Sequence, residues 1–189
     1  MKNETFRAYK DACPELETVM RLQSVKRWHM IDTTRQQTLA EHTANVAILA
    51  WHISGTAPAM YFGPSSEIAT YALMHDVGEV FMGDIPTHTK RSSAEMFEAC
   101  KKIELSVTPP SMSIKVPERI RYLIKACDLA DGIRFIRLHG VGVTARHAES
   151  GLVAQQEQVF GNMKQVGIPE DVVAHVLAKC SKYVEDARG

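Results

Sequence analysis

No apolar run in this chain approaches the ~18 residues that a membrane span requires. The opening stretch, MKNETFRAYKDA, is polar and lacks the apolar core of a secretory leader. A soluble, cytoplasmic protein is expected. Cysteine is scarce: Cys13, Cys100, Cys127 and Cys180 are scattered without a C-x-x-C pair, so neither a disulfide framework nor a thiolate zinc site is expected. An excess of charge is also missing, with 22 basic residues against 22 acidic ones. Binding along a nucleic-acid backbone wants a basic excess, so no polymeric nucleic acid is expected as a partner. An anionic ligand must be held by a few local cations instead. There is no G-x-x-x-x-G-K-[ST] loop, no G-x-G-x-x-G after a strand and no nucleophile elbow. These absences argue against a P-loop kinase, a nicotinamide enzyme and a serine hydrolase.

What is present reads as helices. With 189 residues, 45% of them hydrophobic, the chain suits one domain spanning 1–189 and can bury roughly 70% of its unfolded surface. A short helix is predicted from Glu15 to about Val25, followed by an extended or looped segment over 26–37. The best-marked helix runs from Thr38 to Ser54, opened by a T-x-x-E capping box (Thr38, Glu41) and closed by Gly55. Further helices are predicted over about 66–80, from a Ser92/Glu95 capping box to about Val107, over about 117–138, over about 144–163 and over about 169–186. Met82–Lys90 should be a loop. Pro109-Pro110 breaks the chain without separating domains.

Placement singles out a few polar residues. His42 has Val46, Leu49 and Ile53 at its i+4, i+7 and i+11 positions, which puts the imidazole on a buried helix face. His75-Asp76 is a doublet near the end of the next helix. Asp128 sits mid-way along the long helix with Lys125 one turn before it, and a carboxylate there needs a partner. Two imidazoles and two carboxylates from three helices could enclose one divalent metal. Such N/O ligation suits Mn, Co, Fe, Ni or Zn better than Mg or Ca.

The ordered set His42, His75-Asp76 and Asp128 resembles the H…HD…D pattern of the HD-domain phosphohydrolases. The segments RLQSVKRWHM, LAEHTANVAILA, ALMHDVGEVFMGDIPTHTK and KACDLADGI narrow this to small deoxynucleotide hydrolases, the YfbR-type 5′-deoxynucleotidases and the phage DatZ-type dATP triphosphohydrolases. The similarity covers residues ~14 to ~140. It implies an all-α HD-domain helical bundle with a buried metal site held by His42, His75, Asp76 and Asp128. A second divalent ion on the substrate phosphates is compatible with it, as is a host-cytoplasm location for a phage-encoded enzyme.

The remaining roles follow from that resemblance and from position. Glu79, at i+4 from His75, shares its predicted helix face and could activate or position a water. Asp84, after Gly83, could protonate a leaving group or hold water. Arg27, Arg35, Lys90 and Lys125 are the candidate phosphate cations. Trp28 and Met30, two apart in an extended segment, would point the same way and form an apolar wall against the sugar and base. In the resembling enzymes a Trp here disfavours a 2′-hydroxyl, and an apolar side chain at the position of Met30 excludes a 2-amino purine.

The expected reaction is hydrolysis of a 2′-deoxynucleoside triphosphate, dATP favoured, to deoxynucleoside and triphosphate. The compact segment between Asp76 and Asp128 looks more like the DatZ branch than the monophosphatase branch. The alternatives are a 5′-deoxynucleotidase acting on a monophosphate, and a non-catalytic nucleotide-binding module, against which both Glu79 and Asp84 argue. A homo-oligomer is also expected, with Val172, Val176 and Cys180 or Lys179 as an apolar stripe that could serve either an interface or the chain's own core.

Overall fold

The computed structural model describes residues 15–90, 92–107 and 116–186; Cys13 and the Pro109-Pro110 break lie outside them. Among these residues are eight α-helices and no strand: α1 (Glu15–Met20), α2 (Leu39–Thr56), α3 (Ser65–Met74), a single turn α4 (Thr87–Lys90), α5 (Ala94–Val107), α6 (Glu118–His139), α7 (Gly142–Gln165) and α8 (Glu170–Glu185). The all-α expectation holds. None of these helices is long and apolar enough to cross a membrane.

Helix α6 is the axis of the molecule. Its residues from Ile120 to Ile136 are buried on several faces, and α2, α7 and α8 pack against it while α3 packs on α2. One core cluster draws on all five of these helices, with Ile53, Ile68, Leu123, Ile133, Met163 and Val176 almost wholly inaccessible. Gly140 ends α6 because a Cβ there would stand 2.6 Å from the Ile136 carbonyl oxygen and 2.7 Å from the Ala145 Cβ.

Several predicted ends shift, each for a local reason. Helix α1 stops at Met20 and continues as a 3₁₀ turn, Arg21–Gln23. Thr38 caps α2, its side chain accepting from the Glu41 amide at 3.1 Å, a contact worth about 1 kcal/mol. The reciprocal half of the capping box is replaced by an ion pair, since the Glu41 carboxylate turns to Arg35. Gly55 does not close the helix. It lies inside α2, where a Cβ would come within 3.1 Å of the Ser65 hydroxyl, and Pro58 imposes the stop after Thr56 by holding Ala57 extended. The cap of α5 is Ser93 rather than Ser92, accepting from the Met96 amide at 3.1 Å.

The largest departure is in the third predicted helix. It breaks at His75–Asp76 and resumes as a 3₁₀ turn over Val77–Val80. Gly78 then lies against α5, where a Cβ would be 2.9 Å from that of Glu104. Apolar periodicity runs through the break and hides it. The stripe Val172, Val176 and Cys180 of α8 is buried in the chain's own core, so it gives no support to the expected oligomer.

Candidate metal centre

Three helices bring four side chains together, three of them as one tight group and Asp128 beside it through His42. His42 comes from the first turns of α2, His75 and Asp76 from the end of α3, and Asp128 from the middle of α6. His42 Nε2 lies 3.1 Å from Asp128 Oδ1 and 3.7 Å from Asp76 Oδ2, and His75 Nε2 lies 3.2 Å from Asp76 Oδ2. One atom each from His42, His75 and Asp76 falls within a 4.8 Å span.

Both imidazoles are oriented from behind. His42 Nδ1 meets Asp131 Oδ2 at 2.7 Å, and His75 Nδ1 donates to the Ala72 carbonyl at 2.5 Å. An ionised carboxylate and a carbonyl only accept, so Nδ1 carries a proton in each ring, and in the neutral form that a metal requires Nε2 carries the lone pair. Both Nε2 atoms are buried and have no hydrogen-bond partner. Two orphaned imidazole nitrogens facing two carboxylates, each ring braced through its other nitrogen, fit a divalent transition metal.

Without such an ion the cluster is electrostatically tense. Burial pushes His75 down, but the neighbouring Asp76 carboxylate outweighs it and lifts the imidazole to about 9. Burial would raise Asp76 and Asp128, yet His75 holds the first well below the carboxylate range, and Lys125 with His42 does the same for the second. Glu79 is pushed up to about 8, chiefly by burial and then by the Asp76 charge, with Lys90 opposing. The stability that His75 contributes is complete below its unfolded value of ~6.5 and is lost as pH rises through about 9. That of Glu79 is complete below its unfolded value of ~4.3 and is lost through about 8. Both run in one direction, so the melting temperature of the metal-free protein is expected to fall between pH 6.5 and 9. Saturating Mn²⁺ should reverse the trend, because a ligating imidazole must be neutral. Scanning calorimetry with and without the ion reads this directly; a metal-free midpoint that climbs over the window contradicts the assignment.

The other predicted residues sort clearly. Glu79 is buried in the 3₁₀ turn rather than one helical turn beyond His75; its amide donates to the Asp76 carbonyl at 2.9 Å. Glu79 Oε1 accepts from Lys90 Nζ at 2.5 Å, while Oε2 is buried without a partner. Lys90 also donates to Glu104 at 2.8 Å, so two carboxylates engage it and it is not a free phosphate cation. Arg27 is buried, 3.4 Å from Asp84 and 3.9 Å from Asp128, with Nε and Nη1 making no hydrogen bond. Lys125 donates to Asp128 at 2.6 Å. Arg35 is elsewhere: it pairs with Glu41, donates to His139 Nε2 at 3.1 Å and lies over the Phe135 ring.

Trp28 and Met30 line the same cavity, but the segment between them is a turn and not a strand. The Ile31 amide donates to the Trp28 carbonyl at 3.0 Å, and Trp28 has φ +62°. That left-handed conformation costs a non-glycine residue roughly 1–2 kcal/mol. The indole is held by several contacts: it stacks on Phe135 at 6.1 Å, donates from Nε1 to Gln37 Oε1 at 2.9 Å, presses its ring edge against Gly132 and lies under the Arg27 guanidinium at 5.2 Å. Met30 is 62% exposed and stands at the rim. The cavity measures about 1100 Å³ and is lined by Arg27, Trp28, His75, Asp76, Glu79, Asp84, Lys125 and Asp128 on the polar side, with Lys101 and Arg121 also lining it.

Sequence reasoning missed Asp131, Gln37, Asn45 and Tyr183. The signal that could have found Asp131 is its spacing: three residues beyond Asp128, it occupies the same side of α6 and so needs partners too.

Comparison with known proteins agrees with this picture. Residues 16–127 match the family described as 5′-deoxynucleotidase YfbR-like. A dATP triphosphohydrolase of Cyanophage S-2L is 32% identical over 149 residues, 75% of this chain and 82% of its own. A dATP triphosphohydrolase of Salmonella phage PMBT28 is 33% identical over 140 residues, 71% and 72% of the two chains. A 5′-deoxynucleotidase of Pasteurella multocida is 34% identical over 86 residues, 44% of each. In solved form, the Cyanophage S-2L HD phosphohydrolase bound to dA and one catalytic Zn²⁺ superposes with a TM-score of 0.75, over 92% of this chain and 98% of that one at 24% identity. At that identity the likeness speaks for the fold.

Proposed function

The chain belongs to the YfbR-like family of HD-domain phosphohydrolases, enzymes that act on deoxynucleotides, and we propose on that footing that it hydrolyses dATP to deoxyadenosine and triphosphate with one divalent metal ion. The observation that carries this reading is the pair of braced imidazoles with orphaned Nε2 atoms, set beside a buried arginine in a cavity of nucleotide size.

His42, His75, Asp76 and Asp128 would hold the metal. When bound, such an ion lowers the pKa of a coordinated water and polarises a phosphoryl oxygen. The rest of the chemistry falls to the chain. Lys90 fixes one oxygen of Glu79 and leaves the other, buried beside the cavity without a partner, to take a proton from the attacking water. The buried Arg27, with two nitrogens making no hydrogen bond, meets the charge that grows on the α-phosphoryl oxygens. The bond that breaks joins the α-phosphorus to the 5′-oxygen, so that oxygen needs a proton; the one that Glu79 takes from the water can return there, while the Asp84 carboxylate, ion-paired with Arg27, holds water at the leaving-group end. Water adds to the α-phosphorus, which leaves as the end of triphosphate.

The same steps would cleave a monophosphate, so the substrate depends on what holds the distal phosphates. Lys90 is engaged by two glutamates and Lys125 by Asp128, but Lys101 and Arg121 line the cavity with Arg27 and offer charge for a triphosphate. Two relatives that align over more than two thirds of their own length, those of Cyanophage S-2L and Salmonella phage PMBT28, are dATP triphosphohydrolases, while 5′-deoxynucleotidases of Pasteurella multocida and Shigella flexneri align over about half of theirs. The ring of Trp28, pinned by its contacts, would crowd a 2′-hydroxyl.

One assay tests the whole reading: dATP, dGTP, ATP, dAMP and 2-amino-dATP under a single Mn²⁺ or Co²⁺ condition, with products separated by chromatography. Triphosphate release from dATP is expected, with ATP at least about tenfold slower, since excluding one buried hydroxyl is worth ~1–3 kcal/mol. Faster turnover of dAMP than of dATP moves the function to the 5′-deoxynucleotidase reading. Equal rates on ATP and dATP remove Trp28 as the sugar gate.

A further inference from the structure

Asp131 is 2% exposed and takes four hydrogen bonds from three separate stretches of chain. Its Oδ2 accepts from Gln37 Nε2 at 2.8 Å and His42 Nδ1 at 2.7 Å. Its Oδ1 accepts from Asn45 Nδ2 at 3.0 Å and the Tyr183 hydroxyl at 2.9 Å. Every acceptor direction is used, which is what a carboxylate at such depth needs. A carboxylate that served only the core would require no particular partner. This one reaches the metal centre by one bond and the sugar wall by two.

The second route runs through Gln37, itself 1% exposed. Its Nε2 donates to Asp131 while its Oε1 accepts from the Trp28 indole, and its backbone carbonyl accepts from the Arg27 amide at 2.9 Å. The amide is therefore locked in one orientation: turned over, it would face a donor with a donor and an acceptor with an acceptor. Trp28 sits at φ +62° with its indole nitrogen satisfied by this single side chain. We infer that Asp131 is a positioning residue that sets His42 for metal binding and, through Gln37, sets the indole of Trp28 against the sugar, so that metal affinity and 2′-deoxy selectivity share one buried anchor. This rests on the proposed function for what the metal and the indole do.

Three conservative variants separate the two arms. Asp131→Asn should weaken Mn²⁺ binding to the metal-free protein by about 10–100-fold, the usual cost of losing the outer partner of a ligating imidazole. It should also lower the ratio of kcat/KM for dATP over ATP. Gln37→Leu should lower that ratio about tenfold and leave Mn²⁺ affinity within a few-fold. Tyr183→Phe should weaken Mn²⁺ modestly and leave the ratio unchanged. Calorimetry on metal-free protein reads affinity without turnover. In a Trp51→Phe background Trp28 is the only tryptophan, and acrylamide should quench it more readily once Gln37 is Leu. If Asp131→Asn does not fold, Gln37→Leu alone decides, through the ratio and the quenching. If the wild type prefers monophosphates, dAMP and AMP replace dATP and ATP, and the inference stands or falls on the same ratio. In a wild type that binds Mn²⁺ and prefers the deoxy sugar, an unchanged ratio in Gln37→Leu overturns the link to Trp28. Unchanged Mn²⁺ affinity in Asp131→Asn overturns the link to His42. A wild type that shows neither property removes the proposed function and this inference together.

Discussion

Replacing Glu79 by Gln is expected to cut kcat by about 10²–10⁴-fold, the range for losing general acid–base assistance, while dATP and the metal still bind. The substitution is nearly isosteric. Its Oε1 can still accept from Lys90, so the Lys90–Glu104 contact and the close approach of Gly78 to α5 survive. What disappears is the capacity of the second, unpartnered oxygen to take a proton. Single-turnover chromatography gives the rate, elemental analysis the metal content, and calorimetry the nucleotide affinity. A loss under tenfold would count against the role, and a parallel loss of metal would make Glu79 a ligand instead.

Asp128→Ala should go further, removing both the metal and turnover. Asp128 is the proposed oxygen ligand nearest to His42 Nε2, and it is also the counter-charge for Lys125 at 2.6 Å and for Arg27 at 3.9 Å. Deleting it takes away one ligand and leaves two cations facing the place where a divalent ion would sit. Affinity should therefore drop by more than the roughly 10–100-fold typical of an outer-shell change. Atomic emission on dialysed protein checks this, and full occupancy in the variant shows the ligand set to be wrong.

How much of this could be read from the chain depends on the range of the interaction. Helices α2, α6, α7 and α8 are legible because caps, prolines and 3.6-residue periodicity are local. The break at His75–Asp76 is not, because it answers to the contact between Gly78 and α5, which periodicity cannot register. The four candidate ligands stand out by order and motif. Lys90 and Arg35 look like any cation in the sequence, and only the folded chain shows that Glu79, Glu104 and Glu41 engage them. Gln37 belongs to no motif; its importance lies in partners 9 and 94 residues away. The turn at Trp28 was hidden for a related reason, since a bulky residue rarely adopts positive φ unless its surroundings enforce it.

The Tyr183 hydroxyl on Asp131 bears on how the centre matures during synthesis. Chains leave the ribosome N-terminal end first. His42, His75, Asp76 and Asp128 have all emerged while α8 is still to come, so the ligands precede their last brace. Asp131 stays one donor short until residue 183 is free and α8 has docked along its Val172–Val176–Cys180 stripe. A nascent chain therefore holds the centre with this brace missing from the emergence of Asp131 until α8 docks, and the finished centre dates from the closing of that helix rather than from the appearance of its four candidate ligands.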